Sequence, residues 1–174
     1  MNREQLAIMV ESALDMAKDT GGGNITSDSI TWENLSGCLS KLSPQASAYI
    51  RIKYLLEGHR VAPLTLSLHS KGVALCNRFG RRVCPHKLIY TALIESIGDN
   101  ICRACNGVGV ISNKSCPKCE GTGRKGWSNV RKAKSLGVAS GNFRRDYTPL
   151  YEAARGIFDG YEQELSRALY KSAL

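Results

Sequence analysis

A chain of 174 residues that is 43% hydrophobic has the material for one ordinary core with a small module attached. No apolar run approaches the ~18 to 20 residues that span a bilayer, and the opening MNREQLAIMVESALDMAKD carries acids where a signal peptide is apolar, so membrane-spanning and secreted classes are set aside and a cytoplasmic location is expected. The net charge of +9 is unevenly placed: from Arg78 to Arg145 fourteen Lys/Arg face three acids (Glu95, Asp99, Glu120), a net of +11, which leaves −2 for the rest. A one-signed block attracts a polyanion, of which nucleic acid is the commonest in the cytoplasm; a solvated basic face without a partner is the bland alternative.

In chain order, Leu6, Met9, Val10, Ala13, Leu14 and Ala17 recur at helical spacing, which predicts an N-terminal helix over 1–20 that Gly21, Gly22 and Gly23 end in a flexible joint. A helical region over 24–84 follows. In it Trp32, Leu35, Leu39 and Leu42 outline one helix, and Ser43 with Pro44 caps a further helix reaching about Gly58. Val61 to Leu75 is apolar but interrupted by Pro63 and Gly72, and reads as helical segments and a turn. Pro85 opens the helix PHKLIYTALIESIGDN, with Leu88, Ala92, Leu93 and Ile97 inward. Beyond residue 123, Ser128 caps a helix of 130–136 that ends at Gly137, and a second helix begins near Ser140. Thr148 and Pro149 restart or kink it. Leu150, Ala154, Ile157, Phe158, Tyr161, Leu165 and Leu169 then give a long amphipathic C-terminal helix.

Between these helices, Cys102 to Gly123 reads CRACNGVGVISNKSCPKCEGTG, two CxxCxGxG units with ten residues between the inner cysteines. Cys102, Cys105, Cys116 and Cys119 supply the four thiolates of one structural Zn²⁺, and Gly107, Gly109, Gly121 and Gly123 allow the positive φ that such knuckles need. Four cysteines close the tetrahedron and leave no position for water, so a catalytic zinc is not expected. His59, His69 and His86 lie in separate segments without triad or ligand spacing, and no phosphate loop is present; no enzymatic activity is expected. Cys38, Cys76 and Cys84 are scattered singles, expected to be buried thiols.

The segment AKSLGVASGNFRRDY has the layout of a helix-turn-helix: Ala133 for close approach, Gly137 at the turn, Val138 beneath it, Phe143 as anchor. Asn142, Arg144 and Arg145 then fall early on the second helix, where Asn pairs with adenine and Arg with guanine. Arg124, Lys125, Arg131, Lys132 and Lys134 suit phosphate contacts. A plain basic helix pair is the alternative. Trp127 is a candidate for stacking on a base, although covering a helix start is its commoner role.

CxxCxGxG pairs occur in DnaJ-type co-chaperones, which carry four copies and an HPD-bearing J domain; this chain has two copies and no HPD. The order of an apolar helix, CRACNGVGV, CPKCEGTGR, a short helix and RRDYTPLYEAA more closely resembles the zinc-containing Q antitermination proteins of lambdoid phages, over about residues 85 to 165. The resemblance implies that Cys102, Cys105, Cys116 and Cys119 are zinc ligands, that the flanking helices bind double-stranded DNA at a late promoter, and that the partner is a paused, sigma-containing RNA polymerase holoenzyme. In that family the zinc insert interrupts or adjoins the helix-turn-helix, so helix 86–99 is a second candidate for one member of the pair.

The expected protein is therefore mainly α: a helical domain with a helix-turn-helix-like region and an inserted Cys₄ zinc knuckle. Residues 85–174 form the DNA-binding part, with the zinc module at 102–123. Its expected function is transcription antitermination. A client-binding co-chaperone module and a zinc-stabilised DNA-binding regulator are the alternatives. The oligomeric state is left open.

Overall fold

In a computed structural model, residues 32–98, 102, 104–105, 108–112, 114–121 and 125–172 are described. The predicted helix over 1–20 and its glycine joint lie outside them. The chain runs α1 (Trp32–Lys41), α2 (Pro44–Leu55), a single 3₁₀ turn (Gly58–Arg60), α3 (Val61–Ser67), α4 (His69–Phe79) and α5 (Pro85–Ile97). The cysteine module with strands β1 (Val110–Ile111) and β2 (Lys114–Ser115) comes next, followed by α6 (Asn129–Leu136), α7 (Ser140–Asn142), a widened π turn (Phe143–Tyr147) and α8 (Thr148–Ser172). The protein is mainly helical, as expected. Among the described residues no helix is long and apolar enough to cross a membrane.

The local signals act where sequence chemistry puts them. Ser43 Oγ accepts from the Ala46 N–H at 3.3 Å, while Glu164 accepts from the Ser43 N–H (2.6 Å) and hydroxyl (3.1 Å). A carboxylate thus sits at the positive end of α2. Neither Pro63 nor Gly72 breaks a helix. Pro63 falls in the first turn of α3, where no intrahelical N–H bond is lost. Gly72 lies where α4 presses on α5; a Cβ there would sit 3.0 Å from both Ile89 Cγ1 and the Pro85 carbonyl.

α8 is the axis of the molecule and packs against α1, α2, α4 and α5. Its buried positions Leu150, Tyr151, Ala154, Phe158, Tyr161, Leu165 and Leu169 follow helical periodicity, so the predicted stripe holds, with Ile157 partly buried at its margin. Tyr49, Phe158 and Tyr161 form a ring cluster with centroids 5.3 to 6.1 Å apart. Buried residues from Cys38 to Leu169 form one continuous core that crosses the 84/85 position. An acid on α8 is carried into it: Glu162 accepts from Tyr49 Oη at 2.7 Å and pairs with Lys53, so the buried charge is compensated. Cys38 and Cys76 are buried as expected, whereas Cys84 is exposed, because it occupies the N-cap position before Pro85.

The second half of the predicted helix pair has an unexpected form. α7, the π turn and α8 follow one another without a break. Proline at 149 cannot donate to the carbonyl four residues back, and the preceding turn widens instead: the Thr148 N–H reaches the Phe143 carbonyl, five residues away, and Thr148 Oγ1 donates to the same oxygen at 3.3 Å.

Candidate metal centre and the basic helices beside it

Cys102, Cys105, Cys116 and Cys119 form a separate buried cluster in which all four sulfur atoms lie within 4.8 Å of one another. Cys102 Sγ is 3.9 Å from Cys116 Sγ, and Cys105 Sγ is 3.7 Å from Cys119 Sγ. Disulfides need about 2.05 Å, so none is formed. Four sulfurs around one ion at about 2.3 Å would stand about 3.8 Å apart at tetrahedral angles, and both separations match that edge. Among the described residues this is the one group of three or more Cys, His, Asp or Glu side chains so arranged.

The backbone explains how two CxxC units converge. In the first, the Cys105 N–H donates to the Cys102 carbonyl (3.2 Å), Val108 N–H to the Cys105 carbonyl (3.0 Å), and Gly109 N–H to Cys105 Sγ itself (3.2 Å). In the second, Glu120 N–H donates to the Cys116 carbonyl at 2.8 Å. Gly109 and Gly121 adopt φ of +78° and +88°, the left-handed backbone predicted for them; Gly107 and Gly123 lie outside the described residues. β1 and β2 pair antiparallel, Val110 opposite Ser115 and Ile111 opposite Lys114, so a minimal hairpin carries one knuckle to the other. Burial raises the pKa of the Cys102 thiol, but backbone hydrogen bonds at Ala104 and Cys105 and the neighbouring thiols outweigh it and bring it to about 7. A thiol so placed is a ready thiolate ligand. The cluster is thus able to hold a metal ion, and the all-sulfur donor set fits one that favours thiolates.

The module is tied to the helical body through Glu95, a buried acid that sequence reading left unassigned. On α5, before the module, Glu95 Oε1 accepts from the Trp127 N–H at 2.6 Å, just after the module; Tyr151 Oη donates to Oε2 at 2.6 Å; Lys132 Nζ lies 3.4 Å away. One carboxylate therefore joins both ends of the insertion to α6 and α8. A Cβ on Gly126 would lie 2.8 Å from Glu95 Oε1, so glycine gives the carboxylate its room.

α6 is built as predicted. Ser128 Oγ accepts from the Arg131 N–H at 3.3 Å, Gly137 closes the helix at φ +74°, and the Val138 N–H returns to the Ala133 carbonyl at 3.0 Å. Ala133 and Phe143 are fully buried between α6 and the π turn. Of the predicted nucleic-acid contacts, Lys125, Arg131, Lys134, Asn142, Arg144 and Arg145 are exposed; Arg124 lies outside the described residues. Lys132 is a correction. It is only 8% exposed, because it shares the inward face of α6 with Ala133 and Leu136, and its ammonium lies between Glu95 and Glu152 and 4.7 Å from the Tyr151 ring centre. Its charge is used internally. Trp127 stacks on a guanidinium of its own chain, with Arg131 Cζ 3.7 Å from its ring centre.

Two cations that the sequence reading did not single out join this surface. A Cβ on Gly137 would come within 3.9 Å of Lys87 Nζ, which places that ammonium over the turn after α6. Arg81, in the α4–α5 loop, donates to Asp146 at 3.4 Å and lies over the Tyr147 ring. Nothing in local spacing links residues 81 or 87 to 137 and 146; only the packing of α5 against α6 brings them together. The three histidines expected to be non-catalytic are all exposed, and His86 stacks on Tyr90. No protein-family model, curated protein or solved structure matches the chain.

Proposed function

We propose that the chain is a zinc-stabilised, sequence-specific binder of double-stranded DNA that acts on transcription as an antiterminator, engaging a paused, sigma-containing RNA polymerase holoenzyme, and that it is not an enzyme. The observation that carries the reading is the junction at Glu95. A four-thiol cluster is joined through one buried carboxylate to a capped helix whose exposed side chains include Arg131 and Lys134, next to a turn bearing Asn142, Arg144 and Arg145. A closed Cys₄ zinc has no catalytic position, but it can fix the pose of the helices that adjoin it.

In this reading α6 and α7 with the π turn form the helix-turn-helix, and α7 with the π turn enters the major groove. Lys125, Arg131, Lys134 and Lys87 meet phosphates and give a salt-dependent affinity, while Asn142, Arg144 and Arg145 face base edges. The antitermination step rests on the resemblance of residues 85 to 165 to the phage Q proteins. Val108, Val110 and Ile111 project from the metal module as exposed apolar side chains, a surface suited to contact with a protein partner.

The deciding experiment is transcription across a strong terminator by purified polymerase, from the promoter native to this protein, with and without the zinc-loaded chain. Increased read-through that is lost in Cys105→Ser supports the proposal. Unchanged read-through with intact footprinting leaves a DNA-binding regulator and removes the antiterminator. Binding of unfolded clients with no footprint favours the co-chaperone alternative.

A further inference from the structure

Arg145 differs from the other exposed cations in the company it keeps. Its Nε donates to Asp146 Oδ1 at 3.1 Å and its Nη2 to Oδ2 at 2.9 Å, a two-bond fork, yet its side chain remains 77% exposed. Asp146 is itself held. Only 19% of its side chain is exposed, and Oδ1 also accepts from Arg81 Nη2 at 3.4 Å, while Arg81 rests on the neighbouring Tyr147 ring. The Arg145 guanidinium beside Asp146 holds its carboxyl below the usual range.

A guanidinium has five N–H donors in a rigid plane. Asp146 takes the edge made by Nε and one Nη2 hydrogen. Of the three that remain, one Nη1–H and the second Nη2–H form the far end, two parallel donors spaced to meet guanine O6 and N7. Charge decides between a base and a phosphate. A carboxylate 2.9 Å from the guanidinium repels a phosphate that approaches the same group, whereas the guanine edge is a neutral acceptor and meets no such penalty. Fixing the side chain beforehand also reduces the rotamer freedom lost on binding.

We propose that Asp146 is a positioning residue that presents Arg145 to one guanine of the DNA site, so that the Arg145–Asp146 pair, steadied by Arg81, reads a single base pair. The inference rests on the DNA-binding reading above and adds to it which cation specifies and which ones only anchor. Arg131 on Trp127 and Lys134, which meet no carboxylate among the described residues, remain available to phosphates.

The test is selection of duplexes from a random-sequence pool by the full-length, zinc-loaded protein, followed by binding of the preferred duplex with each guanine in turn replaced by 7-deazaguanine, which lacks N7. In the wild type one guanine should prove sensitive, losing about tenfold in affinity, the scale of one bidentate base contact. Asp146→Asn and Arg145→Lys should lose preference at that position alone, should show little further loss with 7-deazaguanine there, and should keep the wild-type dependence on salt. Circular dichroism confirms that both variants fold. The proposal is overturned if Asp146→Asn keeps the full 7-deazaguanine penalty, or if it weakens all sequences alike. If the wild type enriches no sequence, the DNA reading itself fails and this inference with it, an outcome distinct from a wild type that selects a site while Asp146→Asn reads it unchanged.

Discussion

The cysteine module and the helical body reach order by opposite means. The body buries a continuous set of apolar side chains along α8 and compensates the two acids it takes inside, Glu162 with Lys53 and Glu95 with Lys132. In the module the buried cluster is the four cysteines themselves, and its large apolar side chains, Val108 among them, face outward. One region is held by area removed from water, the other by a cluster of sulfur atoms. The difference teaches that stability and surface chemistry can be separated: a module without an apolar core is free to display Val108, Val110 and Ile111, which a body of the same size would bury.

Metal removal breaks the comparison most severely. Structural zinc contributes on the order of 10 to 16 kcal/mol in finger peptides, so chelation, or Cys105→Ser, is expected to unfold residues 102–121 while the helical body persists. Amide chemical shifts of the module should collapse, and the helical far-ultraviolet signal should fall little. Loss of most of that signal on chelation would show that the core depends on the metal too.

Acid and alkali should separate the regions next. Metal binding displaces thiol protons, so the module weakens as pH falls. The body behaves the other way. Burial, with Glu162 beside Tyr49 and Glu95 beside Tyr151, raises both phenols, and burial with Glu164 pushes Tyr161 up to about 12. A raised folded-state pKa means that the stability tied to these phenols is present in full below the ordinary value of 10.0 and is lost as pH rises towards 12. Denaturant unfolding of the body should therefore show a midpoint that drops above pH 10, whereas metal retention should fall on the acid side, where the thiols take up protons.

Single side chains extend the contrast. Phe158→Ala empties the ring cluster with Tyr49 and Tyr161 and should cost about 3–5 kcal/mol in urea unfolding. Ile111→Ala on the hairpin, 39% exposed, should stay within about 0.5 kcal/mol. Glu95→Gln tests the joint between the regions. It leaves Lys132 without its buried carboxylate and should cost about 1–3 kcal/mol, with the chemical shifts of Trp127 and α6 moving most. A change confined to α5 would mean that the carboxylate does not couple the two regions.

Legibility in the sequence follows the same division. The ligand set was readable because metal geometry compresses into short spacings: CxxC repeated, with glycines where φ is positive. The helices beside it were readable from Ser43–Pro44, Ser128 and Gly137, since caps are local chemistry. Glu95 and Lys132 were not, because charge in a one-dimensional string looks solvated, and their contact spans 37 positions with the whole module between. The inward spacing of Lys132 with Leu136, and of Glu95 with Ala92, was the available clue, and a basic block around it drew the reading outward. Arg81 and Lys87 escaped for the matching reason, since their places beside Asp146 and Gly137 come from helix packing. The π turn was half legible: Pro149 announced a disturbance, but only the surrounding core makes the chain absorb it by widening instead of ending the helix.

The smallest effect concerns a body residue that breaks the body's own rule. Leu56 closes α2 at φ +57° with 71% of its surface exposed, an apolar side chain in a left-handed conformation, displayed as Val108 is in the module. A left-handed backbone costs a residue with a Cβ about 1–2 kcal/mol, and glycine avoids that cost while losing about 0.5–1 kcal/mol more entropy on folding. Leu56→Gly should therefore stabilise the body by about 0.5 kcal/mol in urea unfolding, with α2 unchanged. A loss of stability on this substitution would mean that the contacts of the Leu56 side chain outweigh the cost of its left-handed backbone.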